Sequence, residues 1–506
     1  MPDVRFDEGD VGPTLDNGVL RVKVHLQKGT FDVIDLGSGR TVLSDAGVAV
    51  SLREGPTFRT RGDELEFSGT KDVDDKHGHG VSMILLRETD TDEPELSVTI
   101  TLYDGHPYAI VRAEVQNLLD APVRVQSLTV LDGAALDVGA AAETLSFYKH
   151  GWQSWSPTVV LSCAGEDIAV SPPVSAQGTQ PQSAAGRFVS DLVTAVVDPK
   201  TDYGLVAGFV TAAGQFSHLW FDRDSSSLSA VSWADGIEVA PKAVLASEAL
   251  YLQPTTRPAH ALERYGSVMA REMDALPAGE VTSGWCSWYF YFQDISEAEV
   301  LTNLQFLAEN RDALPVEYVQ IDDGYQSEIG DWLTPNEKFP NGMKWIADEI
   351  HARGYKAGLW LAPFLAGKKS RLFVEHPEWF VQFATGGPAI ATMNWGQMCH
   401  ALDLTHPEVI GWLGATFRTI CGEWGYDYVK IDFIYAGAVD GVRHDPNVTR
   451  AQAYRRGLEA IRDAVGLRFI LACGNPIGPS VGLVVGARFG PDVAPYWRSG
   501  MPDDSP

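Results

Sequence analysis

Apolar and polar residues alternate in many short stretches through the first half of the chain. Segments such as 19–26 (VLRVKVHL) and 109–131 carry β-branched residues at every second position, which is the period of a strand buried on one face. Turn dipeptides such as Asn17-Gly18 separate these stretches. The pattern predicts an N-terminal antiparallel β-sandwich domain over residues 1–257.

The pattern changes at Pro258. A helical period is followed by a segment with Pro and Gly, so residues 258–283 are predicted to form a helical linker. Beyond Gly284, short apolar strands alternate with helix-like segments, which predicts buried parallel strands. The strands are GWCSWYF, YVQIDDGY, YKAGLWLAPF, YVKIDFIY, FILACG and ARFGPDV. We therefore interpret residues 284–506 as a catalytic (β/α) TIM-type barrel.

Local signals mark the starts of two helices in this second half. Ser296 is followed three residues later by Glu299, a capping-box pattern, which predicts a helix from Glu297. Pro407 follows Thr405 and His406, and proline is favoured at the first helical position, so a second helix is predicted to start there.

The number of predicted strands is six, whereas a complete barrel has eight. The 223 residues from Gly284 to Pro506 are also fewer than the roughly 250 that such a barrel needs. We therefore expect a barrel that is incomplete after about six strands, with an open seam between GWCSWYF and ARFGPDV. Any catalytic activity of such a barrel is expected to be weak, because an open barrel holds residues on different strands less rigidly. A doubly wound sheet is the competing interpretation, but the glycine-rich nucleotide loop of that fold is absent from the sequence.

Composition and charge narrow the choice of partners and compartment. The formal net charge of −28 disfavours nucleic acid and anionic membrane surfaces. The five cysteines are scattered without a C-x-x-C pair, which is typical of a reduced, intracellular protein. The first residues, MPDVRFDEGD, lack the features of a signal peptide, and we expect a cytoplasmic protein. The sequence leaves open whether the chain forms a homo-oligomer.

The strongest candidate for chemistry is Lys430-Ile431-Asp432. Residues two apart on a strand point to the same side, so an ammonium and a carboxylate would lie together at a strand end. A neighbouring positive charge keeps a carboxylate ionised, as a nucleophile requires. A purely structural ion pair is the alternative interpretation.

Two further acidic sites lie at strand ends. Asp492 follows the last predicted strand, with Arg488 four residues before it, although an Asp after Pro is also common in turns. The adjacent carboxylates Asp322 and Asp323 suit sugar hydroxyls or a hard cation such as Ca²⁺.

Aromatic residues and histidines supply weaker signals. Trp360 is one of several tryptophans that could stack on a sugar ring, although core packing is the commoner role. The turn-like segment around Trp152 and Trp155 would suit a loop that reaches over the barrel mouth. His77-Gly78-His79 could chelate a metal, but we expect a solvated loop there. Cys473 is expected to be a neutral thiol that lines a pocket.

The ordered motifs GWCSWY, QIDDGYQ, GLWLAPF, YVKIDF, LACGNP and RFGPDVAPYW resemble those of the α-galactosidases of glycoside hydrolase family 36. The resemblance covers most of residues 284–497, and GWQSWS in the first half is also similar. It implies a β-sandwich before a (β/α)₈ barrel, a retaining glycosidase mechanism, an α-galactoside substrate, and no metal or cofactor.

Matched motif by motif, the resemblance implies Asp432 as the nucleophile and Asp492 as the general acid/base. The substrate-binding residues that it implies are Lys430, Arg488, Asp322, Asp323, Trp360 and Cys473, with Trp152 or Trp155 from the sandwich. Because a direct ion pair would oppose the acid role of Asp492, we expect Arg488 to point at substrate instead.

Three functions remain open at this point. The first is an exo-acting, retaining α-galactosidase that removes terminal α-galactose from oligosaccharides. The second is a related α-glycosidase, an α-N-acetylgalactosaminidase or a glycosyl transferase. The third is a truncated sugar-binding homologue without turnover.

Overall fold

The structure of the chain is a computed structural model that describes residues 3–9, 12–89, 93–153, 156–168, 184–277, 279, 283–490 and 492–493. The chain divides into two compact units. The first comprises Met1–Trp152, Ser156–Ala275 and Asp445–Gln452, and the second comprises Gln153–Trp155, Leu276–His444 and Ala453–Pro506. The domain boundaries after residues 257 and 283 stay predictions.

The first unit is built from antiparallel strands. In chain order they are β1 (Arg5–Asp7), β2 (Thr14–Asp16), β3 (Leu20–His25), β4 (Thr30–Asp35), β5 (Arg40–Ala46), β6 (Ala49–Leu52), β7 (Thr57–Arg59), β8 (Leu65–Asp75), β9 (Gly78–Arg87), β10 (Glu95–Tyr103), β11 (Ala109–Gln116), β12 (Val123–Leu136), β13 (Ser146–Lys149), β14 (Val159–Ser162), β15 (Arg187–Asp191), β16 (Val193–Val197), β17 (Gly204–Phe209), β18 (Phe216–Asp222), β19 (Ser227–Val239), β20 (Val244–Ala246) and β21 (Leu250–Thr255).

These strands form two sheets. One has the order β1-β2-β3-β4-β5-β12-β19-β18-β15, with β6 and β7 attached through β12. The other has the order β14-β13-β16-β17-β21-β11-β10-β9-β8, with β20 attached to β11. The predicted N-terminal β-sandwich is confirmed. Its alternation is seen in β3, where Leu20, Val22 and Val24 are buried while Arg21 is exposed.

Helix α1 (Pro258–Glu272) covers part of the second sheet. The Tyr265 hydroxyl donates to the carbonyl of Phe209 at 2.6 Å. Gly208 makes this contact possible, because a Cβ at that position would lie 2.7 Å from the Tyr265 ring. The predicted helix therefore packs on the sandwich through one strand position that only glycine can fill.

The second unit is built around six parallel strands. They are β22 (Gly284–Cys286), β23 (Tyr318–Ile321), β24 (Lys356–Leu361), β28 (Tyr428–Ile431), β29 (Phe469–Ala472) and β30 (Gly486–Ala487), which pair in this order. A separate antiparallel sheet contains β25 (Leu365–Gly367), β26 (Ile390–Asn394) and β27 (Gln397–Ala401). The helices that follow α1 in the chain are α2 (Trp288–Tyr291), α3 (Glu297–Glu309), α4 (Gly342–Ala352), α5 (Arg371–Glu375), α6 (Pro407–Arg418), α7 (Arg450–Val465) and α8 (Ile477–Ser480).

The six parallel strands form a partial (β/α) barrel, as predicted. Their spatial order follows the chain without a reversal, so the doubly wound alternative is wrong. Within the described residues, β22 and β30 are the two edges of the sheet and each pairs with a single neighbour. Phe489, which follows β30, is 84% exposed. In the part of the chain that the structure describes, no helix is long and apolar enough to cross a membrane.

Candidate active site

The carboxyl end of β23 carries the Asp322-Asp323 pair, and both residues are buried. The two side chains face different partners. Asp322 Oδ2 accepts hydrogen bonds from Lys430 Nζ at 2.9 Å and from Gln320 Nε2 at 2.5 Å, and the Cys286 thiol lies 3.5 Å away. This carboxylate is therefore held by a buried ion pair that joins β23 to β28 across the intervening strand β24.

Asp323 is surrounded by neutral donors. Its Oδ2 accepts from Gln293 Nε2 at 2.9 Å and from Trp395 Nε1 at 2.7 Å, and its Oδ1 accepts from Gln326 Nε2 at 2.6 Å. Burial raises the pKa of Asp323, and the three donors oppose that rise. No cation lies among these hydrogen-bonding partners, in contrast to those of Asp322.

Lys430 is 4% exposed. Burial alone would lower its pKa, but the negative charges of Asp322 and Asp432 outweigh burial and hold the pKa well above its ordinary value. As expected, Lys430 lies near Asp432. The residue with which Lys430 forms a hydrogen-bonded ion pair is Asp322.

Asp432 follows β28 and is 6% exposed. Trp360 Nε1 donates to its Oδ2 at 3.2 Å, and the backbone N–H of Phe433 donates to its Oδ1 at 2.8 Å. Trp360 stands beside Lys430 in the register of β24 and β28. Hydrogen bonds to both oxygens fix the direction of the carboxylate.

Arg488 and Asp492 form an ion pair just beyond β30. The expectation that Arg488 avoids Asp492 is wrong, because its guanidinium donates directly to Asp492 Oδ1. Burial alone would lower the pKa of Arg488, but the negative charges of Asp432 and Asp492 contribute to a net rise. The indole of Trp288 donates to the other oxygen, Asp492 Oδ2, at 3.0 Å. Arg488 therefore lies in the fields of both candidate catalytic carboxylates.

The thiols of Cys473 and Cys286 lie near the acidic residues of the site. Burial raises the pKa of Cys473 well above its ordinary value, and the neighbouring charge of Asp432 adds to that effect. Burial, followed by the charge of Asp322, raises the pKa of Cys286 to about 12. Both thiols are accordingly neutral near pH 7, as we expect for residues that line a pocket.

Two tryptophans from the first half of the sequence are predicted to contact substrate. Trp152 belongs to the first unit, is 1% exposed and packs edge-on against Phe216 with 6.2 Å between ring centroids. Trp155 lies outside the described residues. Their contact with substrate stays a prediction. Among the described residues, no group of three or more His, Cys, Asp or Glu side chains is arranged to hold a metal ion.

Several site residues were missed by the sequence reasoning. Gln293, Gln320 and Gln326 donate to Asp322 or Asp323. Gln320 had a readable signal, since it lies two residues before Asp322 on the same strand and so shares its side. Gln293 comes from a segment 30 residues away, and nothing local in its sequence indicates the contact.

The chain is similar to a known protein family and to several characterised proteins. Residues 255–466 match the Melibiase family model. The curated relatives include a blood-group A α-D-galactosamine galactosaminidase from Flavonifractor plautii, 26% identical over 291 residues that make up 53% of this chain and 25% of that protein. α-Galactosidase 2 from Pediococcus pentosaceus is 28% identical over 222 residues, 41% of this chain and 29% of that protein. The chain thus spans little more than a quarter of the length of these relatives.

A solved structure is similar over most of the chain. The α-galactosidase TtGalA from Thermus thermophilus, determined in complex with stachyose, is 28% identical with a TM-score of 0.60. The match covers 82% of this chain and 80% of that one. The family model thus assigns residues 255–466, which carry most of the acidic residues at the barrel strand ends, to the melibiase family, glycoside hydrolase family 36.

Proposed function

We propose that the chain is a retaining exo-α-galactosidase that hydrolyses terminal α-galactosyl residues of oligosaccharides. The observation that carries the proposal is the orientation of Asp432, whose two oxygens accept hydrogen bonds from Trp360 and from the Phe433 backbone. A carboxylate held in this way at the carboxyl end of a barrel strand is suited to attack an anomeric carbon. Lys430, with its raised pKa, supplies positive charge beside it.

In the proposed mechanism, Asp432 displaces the aglycone and forms a covalent glycosyl-enzyme, while Asp492 protonates the leaving oxygen. Asp492 then removes a proton from water, which attacks the anomeric carbon and releases the sugar with retained configuration. Arg488 and Trp288 each donate to one oxygen of Asp492 and so orient this carboxyl group. Arg488 can also donate hydrogen bonds to substrate hydroxyls.

Removal of the proposed nucleophile is the first test. We expect Asp432→Ala to lower kcat for an aryl α-galactoside by at least about 10³-fold, and azide to restore release of the aryl group by forming a galactosyl azide of inverted configuration. Asp427→Asn is the control, since Asp427 lies before β28 and pairs with His351 at 2.8 Å. Wild-type rates in Asp432→Ala, or hydrolysis that azide leaves unchanged, would contradict the assignment.

The acid/base role requires a separate test. In Asp492→Ala, substrates with poor leaving groups should lose the most activity, because their departure depends on protonation. Activated aryl α-galactosides should retain the first step and accumulate the glycosyl-enzyme. The measurement is a series of aryl leaving groups with burst kinetics, and a uniform small loss across the series would argue against this role.

A second candidate is activity on a sugar with a nitrogen substituent at the 2-position, either an α-galactosaminide or an α-N-acetylgalactosaminide, because one relative is named an α-D-galactosamine galactosaminidase. The 2-position of the sugar would decide between the two activities, and the buried Cys473-Gly474 segment is the proposed lining there. A panel of aryl α-galactoside, α-N-acetylgalactosaminide and α-glucoside separates the candidates by kcat/KM.

A further inference from the structure

A cavity lined by both polar and apolar side chains lies in the first unit, on the face of the second sheet beside the end of α1. Its volume is about 390 Å³, within the range of small-molecule sites. Thr99, Thr101 and Tyr103 of β10 line it, and their spacing of two places them on one face of the strand. The neighbouring strands β9 and β11 contribute Ser82 and Arg112.

The tight turn between β8 and β9 forms one end of the cavity, at a position where the sequence predicts a solvated loop. His77 was expected in a solvated loop, but it lies in the two-residue turn between β8 and β9 and is only 7% exposed. Its Nε2 is 2.6 Å from Glu272 Oε1 of α1, and its backbone N–H donates to Asp75 Oδ1 at 2.8 Å. The Tyr103 hydroxyl donates to the second oxygen, Asp75 Oδ2, at 2.8 Å. This network fixes two carboxylates at the cavity wall.

Other polar groups of the wall have capacity to bind a ligand. Arg112 makes no closer contact in the described residues than the 4.0 Å approach of its guanidinium to Glu272 Oε2. Hydrogen bonding to His77, together with the charge of Arg112, lowers the pKa of Glu272, so this carboxylate is an acceptor at neutral pH. The hydroxyls of Ser82 and Thr101 share one hydrogen bond of 2.7 Å, which leaves further donor and acceptor positions.

Charge and surface character indicate the class of ligand. Asp75 and Glu272 balance Lys76 and Arg112, so the wall has no excess of positive charge to attract an anion. Val73, Ile110, Val210 and Ala249 add apolar surface. A molecule with many hydroxyls and an apolar C–H face satisfies both kinds of wall. We propose that this cavity binds a neutral polyhydroxylated ligand of monosaccharide to disaccharide size, at a site separate from the candidate active site.

This inference does not rest on the proposed hydrolysis, because all its residues belong to the first unit. The test is calorimetric titration of the full chain with D-galactose, D-glucose and maltose, and with inorganic phosphate in parallel. Three variants accompany the wild type. Arg112→Leu removes the guanidinium at the cavity wall, Asp322→Asn alters the candidate active site, and Arg124→Leu is the control, since Arg124 lies on the other sheet in an exposed pair with Glu238.

We expect at least one saccharide to bind the wild type, Asp322→Asn and Arg124→Leu alike, and Arg112→Leu to weaken this binding by about tenfold or more. Thr99→Trp should also abolish it by filling the cavity. Three results would overturn the proposal: no saccharide binds, saccharide binding is lost only in Asp322→Asn, or phosphate alone binds in a manner that depends on Arg112. None of these binding results depends on whether Asp432→Ala loses hydrolytic activity.

Discussion

At the scale of single residues, the buried pair of Lys430 and Asp322 is the centre of the candidate site. Both side chains are 5% exposed or less, so each depends on the other to offset the cost of leaving water. Removal of one partner leaves a buried charge without compensation, which is far more costly than removal of both. The pair therefore couples the stability of the barrel to the electrostatics of the site.

We expect Lys430→Met to destabilise the second unit by about 3–5 kcal/mol, and Lys430→Met with Asp322→Asn to recover part of that loss. Lys356→Met is the matched control, because Lys356 is exposed and pairs with Glu317 at 3.6 Å, so it should cost at most about 1 kcal/mol. The free energy of unfolding is measured for the wild type and the three variants by urea titration, with proteolytic cleavage of peptides from the second unit reporting the unfolding of that unit. A cost for Lys430→Met as small as that of Lys356→Met would contradict the argument.

The residues of the site were predictable where strand geometry alone decides. The spacing of Lys430 and Asp432 placed both on one side of β28, and the charge of Asp432 indeed acts on Lys430. The choice of Asp322 as ion-pair partner was not predictable, because it depends on the register of strands 108 residues apart. The ion pair between Arg488 and Asp492 was not predictable either. The sequence places the two residues four positions apart, but it does not show in which direction the guanidinium points.

At the scale of elements, the turn after β23 positions both carboxylates of the Asp322-Asp323 pair. Gly324 has φ = +124°, and a Cβ there would lie 2.6 Å from the carbonyl oxygen of Gln293 and 2.9 Å from its Cα. Gln293 in turn donates to Asp323. The glycine thus allows two backbone segments to approach closely enough for this hydrogen bond.

Gly324→Ala should push the Gln293 segment away from Asp323 and destabilise the second unit by about 2 kcal/mol or more, since the contact is with backbone. We also expect a higher KM for galactosides. The control is Gly396→Ala in the β26–β27 turn, where φ is +63° but a Cβ meets nothing within 4 Å. If both variants raise KM equally, backbone strain rather than the approach of Gln293 is responsible.

Elements with strong local signals were predicted well. α3 begins at Glu297 and α6 at Pro407, the positions that the capping-box and proline signals predict. Ser296 makes no side-chain capping hydrogen bond, whereas His406 Nδ1 accepts from the backbone N–H of Glu408. The antiparallel β25–β27 sheet was missed. Its hairpin turn places Trp395 at φ = +52°, which tryptophan disfavours. The indole contact with Asp323 supports this conformation, and such a tertiary contact leaves no local signal.

At the scale of the whole molecule, the alternation of strand and helix was sufficient to predict six parallel strands and a sandwich before them. The reason is that each pattern reports which faces are buried, and this property is common to all members of a fold class. The course of the chain between the units was not predictable. Asp445–Gln452 belongs to the first unit although it follows β28 in sequence, and Arg450 pairs there with Asp235 at 2.9 Å.

The stability of the first unit should depend on pH through His150. Desolvation lowers the pKa of this histidine to about 4, although its Nδ1 lies 3.1 Å from the carbonyl oxygen of Asp191, a contact that opposes the shift. The unfolded value is about 6.5, so the unfolded chain binds a proton at this position first as pH falls. The contribution of His150 is therefore complete above pH 6.5 and is lost between pH 6.5 and about pH 4.

We expect the stability difference between wild type and His150→Gln to shift in favour of the variant by about 1.4 kcal/mol for each pH unit within this window. Glutamine retains a donor for the Asp191 carbonyl but does not titrate, and all other ionisable groups are common to both proteins. Urea titrations at several pH values, followed through proteolysis of first-unit peptides, measure the difference. His260→Gln is the control, because His260 is 58% exposed on α1. A difference between wild type and His150→Gln that stays constant from pH 7 to pH 4 would show that the His150 ring takes up its proton without unfolding.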